Sequence, residues 1–282
     1  MKIAYASDLH LEMGAVDIEN TENADVLILA GDIFTADGLV IEQYVGPNLD
    51  LFNYKSFRIH TFIEKCCKEF KHVLMVCGNH ESYHFDIDKT ISHIKNNLDY
   101  GNFHLLDNSC FAIDDVIFTG GTLWTDMNKE DLETLHDIRS LMNDFRVINK
   151  GKYKFTPEDV LDYFKETIDY IDLMSVIHKD EKIVVVTHHA PSFKSVDPIY
   201  ENHTLLNGGY CSNLENFIID RKNIKLWISG HLHNRNLYYI GDTLLASNPR
   251  GYIGYEECAN NFKLEYLDLN NLPSKTSESL TQ

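Results

Sequence analysis

Five short apolar runs in this chain each hand over, at the carboxyl end, to residues that bind divalent metal. They are Lys2 to Ala6 before Ser7-Asp8-Leu9-His10, Asp25 to Ala30 before Gly31-Asp32, Val73 to Cys77 before Gly78-Asn79-His80-Glu81, Ile183 to Thr187 before His188-His189, and Leu226 to Ser229 before Gly230-His231-Leu232-His233. Continuous Val/Ile/Leu-rich runs of this length, separated by helical stretches, are the pattern of strands buried on both faces of a largely parallel sheet. In such sheets ligands bind outside the carboxyl ends of the strands. The arrangement therefore predicts one crevice that gathers Asp8, His10, Asp32, Asn79, His188, His231 and His233, as a two-metal hydrolytic site requires.

Two carboxylates, one amide oxygen and four imidazoles form a mixed donor set suited to Mn²⁺, Fe²⁺ and Zn²⁺. These seven donors serve two ions if one carboxylate is shared. Asp32 is the expected bridge, because it leaves a strand in the middle of the predicted sheet. Asp8, His10, Asp32 and His233 are then assigned to one ion, and Asp32, Asn79, His188 and His231 to the other. Of the pair His188-His189, the first is the expected ligand because it comes first after the strand. Gly31, Gly78 and Gly230 stand beside the donors, where a missing Cβ lets the backbone turn sharply. His80 follows Asn79 without being needed for coordination. It is the candidate proton donor to a leaving group, with Glu81 orienting and charging its imidazole.

The rest of the chain alternates with these runs. Phe57 to Phe70 places Ile59, Phe62, Ile63, Cys66, Cys67 and Phe70 at helical spacing. Ile87 to Leu98 reads as a second helix, followed by strands at Phe103 to Leu106 and Val116 to Thr119. The polar stretch from Leu123 to Tyr153 breaks the rhythm, with one weak helix from Glu130 to Asn143. Residues 123–155 are therefore read as a small cap inserted over the site. Thr156-Pro157-Glu158-Asp159 starts a helix with proline just inside it, running to about Ile177. From Asn236 the alternation predicts antiparallel edge strands at Leu237 to Ile240, Thr243 to Ala246 and Phe262 to Leu267. Residues 270–282 are expected to be a disordered tail, which leaves one domain over residues 1–269.

In order along the chain, Asp8-x-His10, Gly31-Asp32, Gly78-Asn79-His80-Glu81, His188 and Gly230-His231-x-His233 resemble the five motifs of the calcineurin-like metallophosphoesterases. The resemblance covers most of the chain. It implies a four-layer α/β sandwich and metal-assisted hydrolysis of phosphate esters, with His80 as the acid. Two divalent ions are the implied cofactors, Mn²⁺ first and Fe, Zn or Ni as alternatives, and the implied partner is a small phosphorylated substrate. Thr122-Leu123-Trp124-Thr125-Asp126, Met142-Asn143-Asp144-Phe145, Thr187-His188-His189-Ala190-Pro191 and Asn248-Pro249-Arg250-Gly251-Tyr252 resemble a narrower group of bacterial and phage-type predicted phosphoesterases, which names no substrate.

Three other functions fare worse. The protein-phosphatase branch carries arginines after its Gly-Asp motif and before its Gly-Asn-His-Glu motif; here those stretches read Gly31-Asp32-Ile33-Phe34-Thr35 and Val76-Cys77-Gly78. Arg250 is the remaining candidate to clamp a phosphate, because guanidinium meets phosphate bidentately, and Tyr252 is the candidate substrate contact beside it. A nuclease would want a basic groove, whereas the 282 residues carry a net charge of -18 and repel polyanions in general. A non-catalytic scaffold would have lost ligands or His80, and all are present. The same charge excludes general binding to nucleic acid or anionic membrane. Six cysteines without paired spacing and the lack of an apolar run near the roughly 20 residues that cross a bilayer predict a cytoplasmic protein with free thiols.

Overall fold

The apolar runs divide between two sheets rather than lining up in one. The computed structural model describes residues 1–39 and 51–275. The first sheet has the order β13-β1-β2-β3-β4, built from β1 (Lys2–Ala6), β2 (Val26–Ala30), β3 (His72–Val76), β4 (Phe103–Leu106) and β13 (Glu265–Asp268). The second has the order β11-β12-β10-β9-β6-β5, built from β5 (Ser109–Ile113), β6 (Val116–Gly121), β9 (Lys182–Thr187), β10 (Ile224–Ser229), β11 (Asn236–Ile240) and β12 (Thr243–Ser247). A strand buried on both faces carries no mark of which sheet it joins. That is why the sequence pattern merges them.

Alternation along each strand sets the layers, because successive side chains point to opposite faces. Ile3, Tyr5, Ile28, Leu74 and Val76 face Phe118, Val184, Val186, Ile228 and Leu244 in a core between the sheets. The alternate residues Ala4, Ala6, Leu27, Leu29 and Met75 pack outward on α1 (Leu51–Glu69) and α2 (Ile87–Asn97), through Phe62, Ile63 and Ile94. On the far side Ile117, Ile183, Val185 and Trp227 meet Ile171 of α6 (Pro157–Ile177) and Ile218 of α8 (Glu215–Asp220). The result is helix, sheet, sheet, helix, with parallel-rich sheets inside. Helix α6 starts where the sequence places it: Thr156 and Asp159 close a reciprocal capping box, with Pro157 at the first position.

Three readings of the sequence need correction. Strand β12 is not at an edge; all five residues are buried and it pairs in parallel with β10, while β11 forms the antiparallel edge outside it. Strand β5 was not anticipated, because its half-exposed Ser109–Ile113 pattern lacks the apolar density of its neighbours. Between residues 123 and 155 there are several short elements instead of one weak helix. A left-handed turn, α3 (Met127–Glu130), precedes α4 (Leu132–Leu141), α5 (Asp144–Val147) and the hairpin β7 (Asn149–Lys150) and β8 (Tyr153–Lys154). Asp131 starts α4 by accepting the Thr134 amide at 2.8 Å, and the segment has its own core of Trp124, Ile138, Phe145, Ile148 and Phe155. Helix α7 (Thr204–Asn207) packs on α4. At the tail, Lys275 pairs with Asp242 and the Pro273 carbonyl accepts from Tyr239, so residues 270–275 lie against the second sheet; the remainder of the expected tail lies outside the described residues.

Candidate active site

The donor residues sit on turns at the carboxyl ends of strands from both sheets, and the backbone there is strained. Asp8 (φ 53°), His10 (φ 47°), Asp32 (φ 55°), His231 (φ 69°) and His233 (φ 49°) all occupy the left-handed region. For residues with a Cβ that conformation costs roughly 1–2 kcal/mol each, and it persists only where the surroundings enforce it. Here they do. The Asp8 amide donates to the Gly31 carbonyl at 2.9 Å, the His10 amide to the Asp32 carbonyl at 3.0 Å, and the His231 amide to the Asp8 carboxylate at 3.0 Å. Turns from the two sheets are thereby tied together. The glycines make room: a Cβ at Gly78 would lie 2.1 Å from Asp32 Oδ1, and one at Gly31 (φ 84°) 2.5 Å from His188 Nδ1.

The side chains converge in overlapping groups. Donor atoms of Asp8, His10 and His233 lie within 4.8 Å of one another, as do those of Asp32, His188 and His231, and those of His10, Asp32 and His80. Asp32 belongs to two of these groups. Asn79 joins through Oδ1, 3.1 Å from His188 Nε2. His188 donates from Nδ1 to the Ala30 carbonyl at 2.9 Å, which leaves Nε2 on the crevice side, 3.3 Å from Asp32. Glu256 holds His233 Nδ1 at 2.7 Å and Glu12 holds His10 Nδ1 at 3.1 Å, so the two Nε2 atoms face each other at 3.3 Å. His231 Nε2 is buried with no hydrogen-bond partner. Imidazoles anchored at one nitrogen with the other aimed at a shared carboxylate are oriented as metal ligands are. Buried like groups and an orphaned nitrogen are costly without a cation between them. These residues fit divalent metal.

His189 goes the other way. Its Nδ1 faces the Thr122 carbonyl at 3.3 Å and its ring stacks on Trp124. Burial, reinforced by His188, pushes its pKa down to about 3, so it is a neutral core residue.

His80 stands at the mouth of the crevice. It stacks on Tyr83 with ring centres 4.0 Å apart, and its Nε2 lies 3.3 Å from the Tyr252 hydroxyl and 3.8 Å from Asp32. Burial alone would lower its pKa, but the Asp32 charge and a 3.0 Å contact from Nδ1 to Glu12 outweigh that and raise it to about 9. These charges favour the protonated imidazole. For Glu12, burial works against ionisation, and the bonds to His10 and His80 prevail, holding it at about 2.

Two expected roles are overturned here. Glu81 does not orient His80: its carboxylate turns inward and accepts the amides of Asp32 (3.0 Å), Ile33 (2.7 Å), Phe34 (3.3 Å) and Gly78 (2.6 Å), locking the turns after β2 and β3 together. The orienting carboxylate is Glu12, two residues beyond His10 in the order Asp8-x-His10-x-Glu12. That spacing is the signal a sequence reading could have used. Arg250 does not face the crevice: it is buried and donates to the carbonyls of Leu9 (2.9 Å), Gly14 (3.1 Å) and Ala15 (2.8 Å). It holds the loop after β1. Tyr252, by contrast, lines the crevice next to His80, as do Tyr83 and Asp144, which sequence reasoning did not single out.

Comparison with known proteins follows the same line. The family model described as calcineurin-like phosphoesterase matches residues 1–235. An uncharacterised protein of Acanthamoeba polyphaga mimivirus is 28% identical over 291 residues, covering 96% of this chain and 97% of the viral protein. Among solved structures, phosphopantetheinyl hydrolase from Mycobacterium tuberculosis superimposes with a TM-score of 0.65 at 14% identity, over 97% of this chain and 98% of that one. At that identity the likeness is one of fold.

Proposed function

The chain belongs to the calcineurin-like phosphoesterase family, and from that premise we propose that it is a dinuclear metal-dependent phosphohydrolase acting on a small phosphomonoester or phosphodiester. The observation that carries this reading is the set of left-handed turns that drive Asp8, His10, Asp32, His231 and His233 into one crevice beside His80. Asp8, His10, Asp32 and His233 would hold one divalent ion, and Asp32, Asn79, His188 and His231 the other, with Mn²⁺ the expected metal and Fe, Zn or Ni alternatives. Two such ions, when bound, supply the positive charge that activates water and steadies phosphoryl oxygens.

The chain's own residues do the rest. Glu12 keeps His80 charged and turned so that Nε2 points into the crevice, where it can release a proton to a departing alkoxide. The Tyr252 hydroxyl, next to that nitrogen, is placed to contact the same ester. Glu81 fixes the separation of Asp32 and Asn79 by binding the amides around both. Six free cysteines, with Cys66, Cys77 and Cys211 buried, support work in a reducing cytoplasm. Among the described residues no helix is long and apolar enough to cross a membrane.

The test is a turnover screen of Mn²⁺-loaded protein against bis-p-nitrophenyl phosphate, p-nitrophenyl phosphate and 2',3'- and 3',5'-cyclic nucleotides. Hydrolysis that vanishes with a chelator and returns with Mn²⁺ is expected. Inertness toward every phosphate ester under all four metals would refute the reading.

A further inference from the structure

Beyond the donor residues the crevice widens into a cavity of about 670 Å³. This is within the roughly 300–1,000 Å³ of sites that enclose an organic ligand. What lines it is unusual for a protein that handles phosphates. Among the described residues no lysine or arginine contributes to the wall, and the stretches 40–50 and 276–282 contain neither residue. Arg250 and Arg58, which hold the loop after β1, are engaged with backbone carbonyls. Arg250 serves the Leu9, Gly14 and Ala15 carbonyls, and Arg58 the Leu11 carbonyl. Lys194, outside the lining, pairs with Glu215 at 2.9 Å.

Carboxylates contribute to the wall instead. Asp144 is only 2% exposed, and its Oδ1 has no hydrogen-bond partner although it borders the cavity. Asp197 also lines the cavity, as does Glu256 beside His233. The lining also carries apolar side chains, Leu141, Met142, Val196, Ile199 and Leu206, beside the neutral amides of Asn143, Asn207 and Asn234. Leu141 and Ile199 are 60% and 70% exposed, a degree of exposure that large aliphatic side chains at a cavity mouth explain if they receive part of a ligand.

We propose that the site selects phosphate esters whose organic part is uncharged or cationic and partly apolar, and rejects those that carry a further anionic group. This rests on the phosphohydrolase reading above and goes beyond it. One phosphate finds its charge balance among the metal donors. A second anion, lying away from the donor residues, would find no lysine or arginine among the described lining residues and would face Asp144, Asp197 or Glu256 in a partly desolvated space, where like charges repel strongly. An apolar chain instead covers Leu141 and Ile199, and an uncharged or cationic end group meets no repulsion from Asp144, Asp197 or Glu256.

The experiment uses a matched series of alkyl phosphates of one chain length ending in methyl, hydroxyl, trimethylammonium, carboxylate or phosphate. It also uses the corresponding non-hydrolysable phosphonates, whose affinities are measured by calorimetry with and without Mn²⁺. The first three esters should exceed the last two in kcat/KM by about tenfold or more, equivalent to about 1.4 kcal/mol, and the phosphonate affinities should rank alike. Ile199→Arg, at an exposed position, should narrow the gap by raising the carboxylate member, and Asp144→Asn should lower the trimethylammonium member relative to methyl. Equal or better handling of the carboxylate and phosphate members would overturn the inference. Because the phosphonate ranking is read without turnover, it decides the matter even if no ester is cleaved, whereas hydrolysis of bis-p-nitrophenyl phosphate tests the underlying phosphohydrolase reading separately.

Discussion

Strands β1, β2 and β3 are alike along their length and opposite at their two ends. At the amino ends charges meet partners of the other sign in contact with water: Lys2 with Glu22 at 3.0 Å and Lys71 with Asp25 at 2.6 Å. The backbone there is left-handed only at Asn23 (φ 52°), a residue type that tolerates it in a turn. At the carboxyl ends the polar groups are buried, imidazoles face imidazoles, and residue after residue is held in the left-handed region. A chain optimised only for stability would treat both ends alike. The difference shows that one end is arranged for something that the folded chain alone does not supply, which is how strain at a functional site is recognised.

The largest effect that should separate the two ends is that of Asp32→Asn. It removes charge from the residue shared by two donor groups, and it should take phosphoesterase activity to the background rate and lower bound metal together. Retained activity with one ion fewer would show that Asp32 is not shared. Next comes His80→Ala, expected to slow esters of alkyl alcohols by roughly 10² to 10⁴ fold while nitrophenyl esters, whose leaving group needs little protonation, lose far less. Equal losses would remove His80 from the acid role.

Glu12→Gln should cost roughly 10 to 100 fold, as loss of a residue that orients a ligand or a catalytic group does, and it should also move the pH profile. His80 must be protonated to act, so activity should fall as pH rises through its raised pKa. Glu12 helps raise that pKa, so without its charge the alkaline limb should shift to lower pH. An unmoved limb would reduce Glu12 to a structural residue. The smallest effect belongs to the amino end: Lys71→Ala breaks an exposed pair, and exposed pairs contribute little, so the rate should be unchanged and thermal unfolding nearly so.

The legibility of this protein followed the same division. The turns that carry Asp8, Asp32, Asn79, His188 and His231 could be located from sequence because each follows an uninterrupted apolar run, and the boundaries of β1 coincide with the run itself. How the runs sort into two sheets could not, since burial on both faces leaves no asymmetry to read. Arg250 was misplaced because a charged residue in a Pro-Arg-Gly turn suggests exposure, whereas its donors complete the carbonyls of the loop after β1. Glu81 and Glu12 exchanged roles for a related reason. Adjacency in sequence favoured Glu81, but a residue next to His80 on a tight turn points away from it, and the partner comes from a loop 68 residues earlier. The wall of the cavity, drawn from residues 141–144, 196–200 and 206–210, has no periodic signature in the sequence.

The central claim is that the carboxyl ends of the two sheets hold a pair of divalent ions about Asp32. Anomalous scattering from crystals of Mn²⁺-loaded protein tests it most directly. The account predicts two peaks roughly 3.5–4 Å apart, one against Asp8, His10 and His233 and the other against Asn79, His188 and His231, with Asp32 touching both. A single peak, or ions that leave Asp32 untouched, would contradict it.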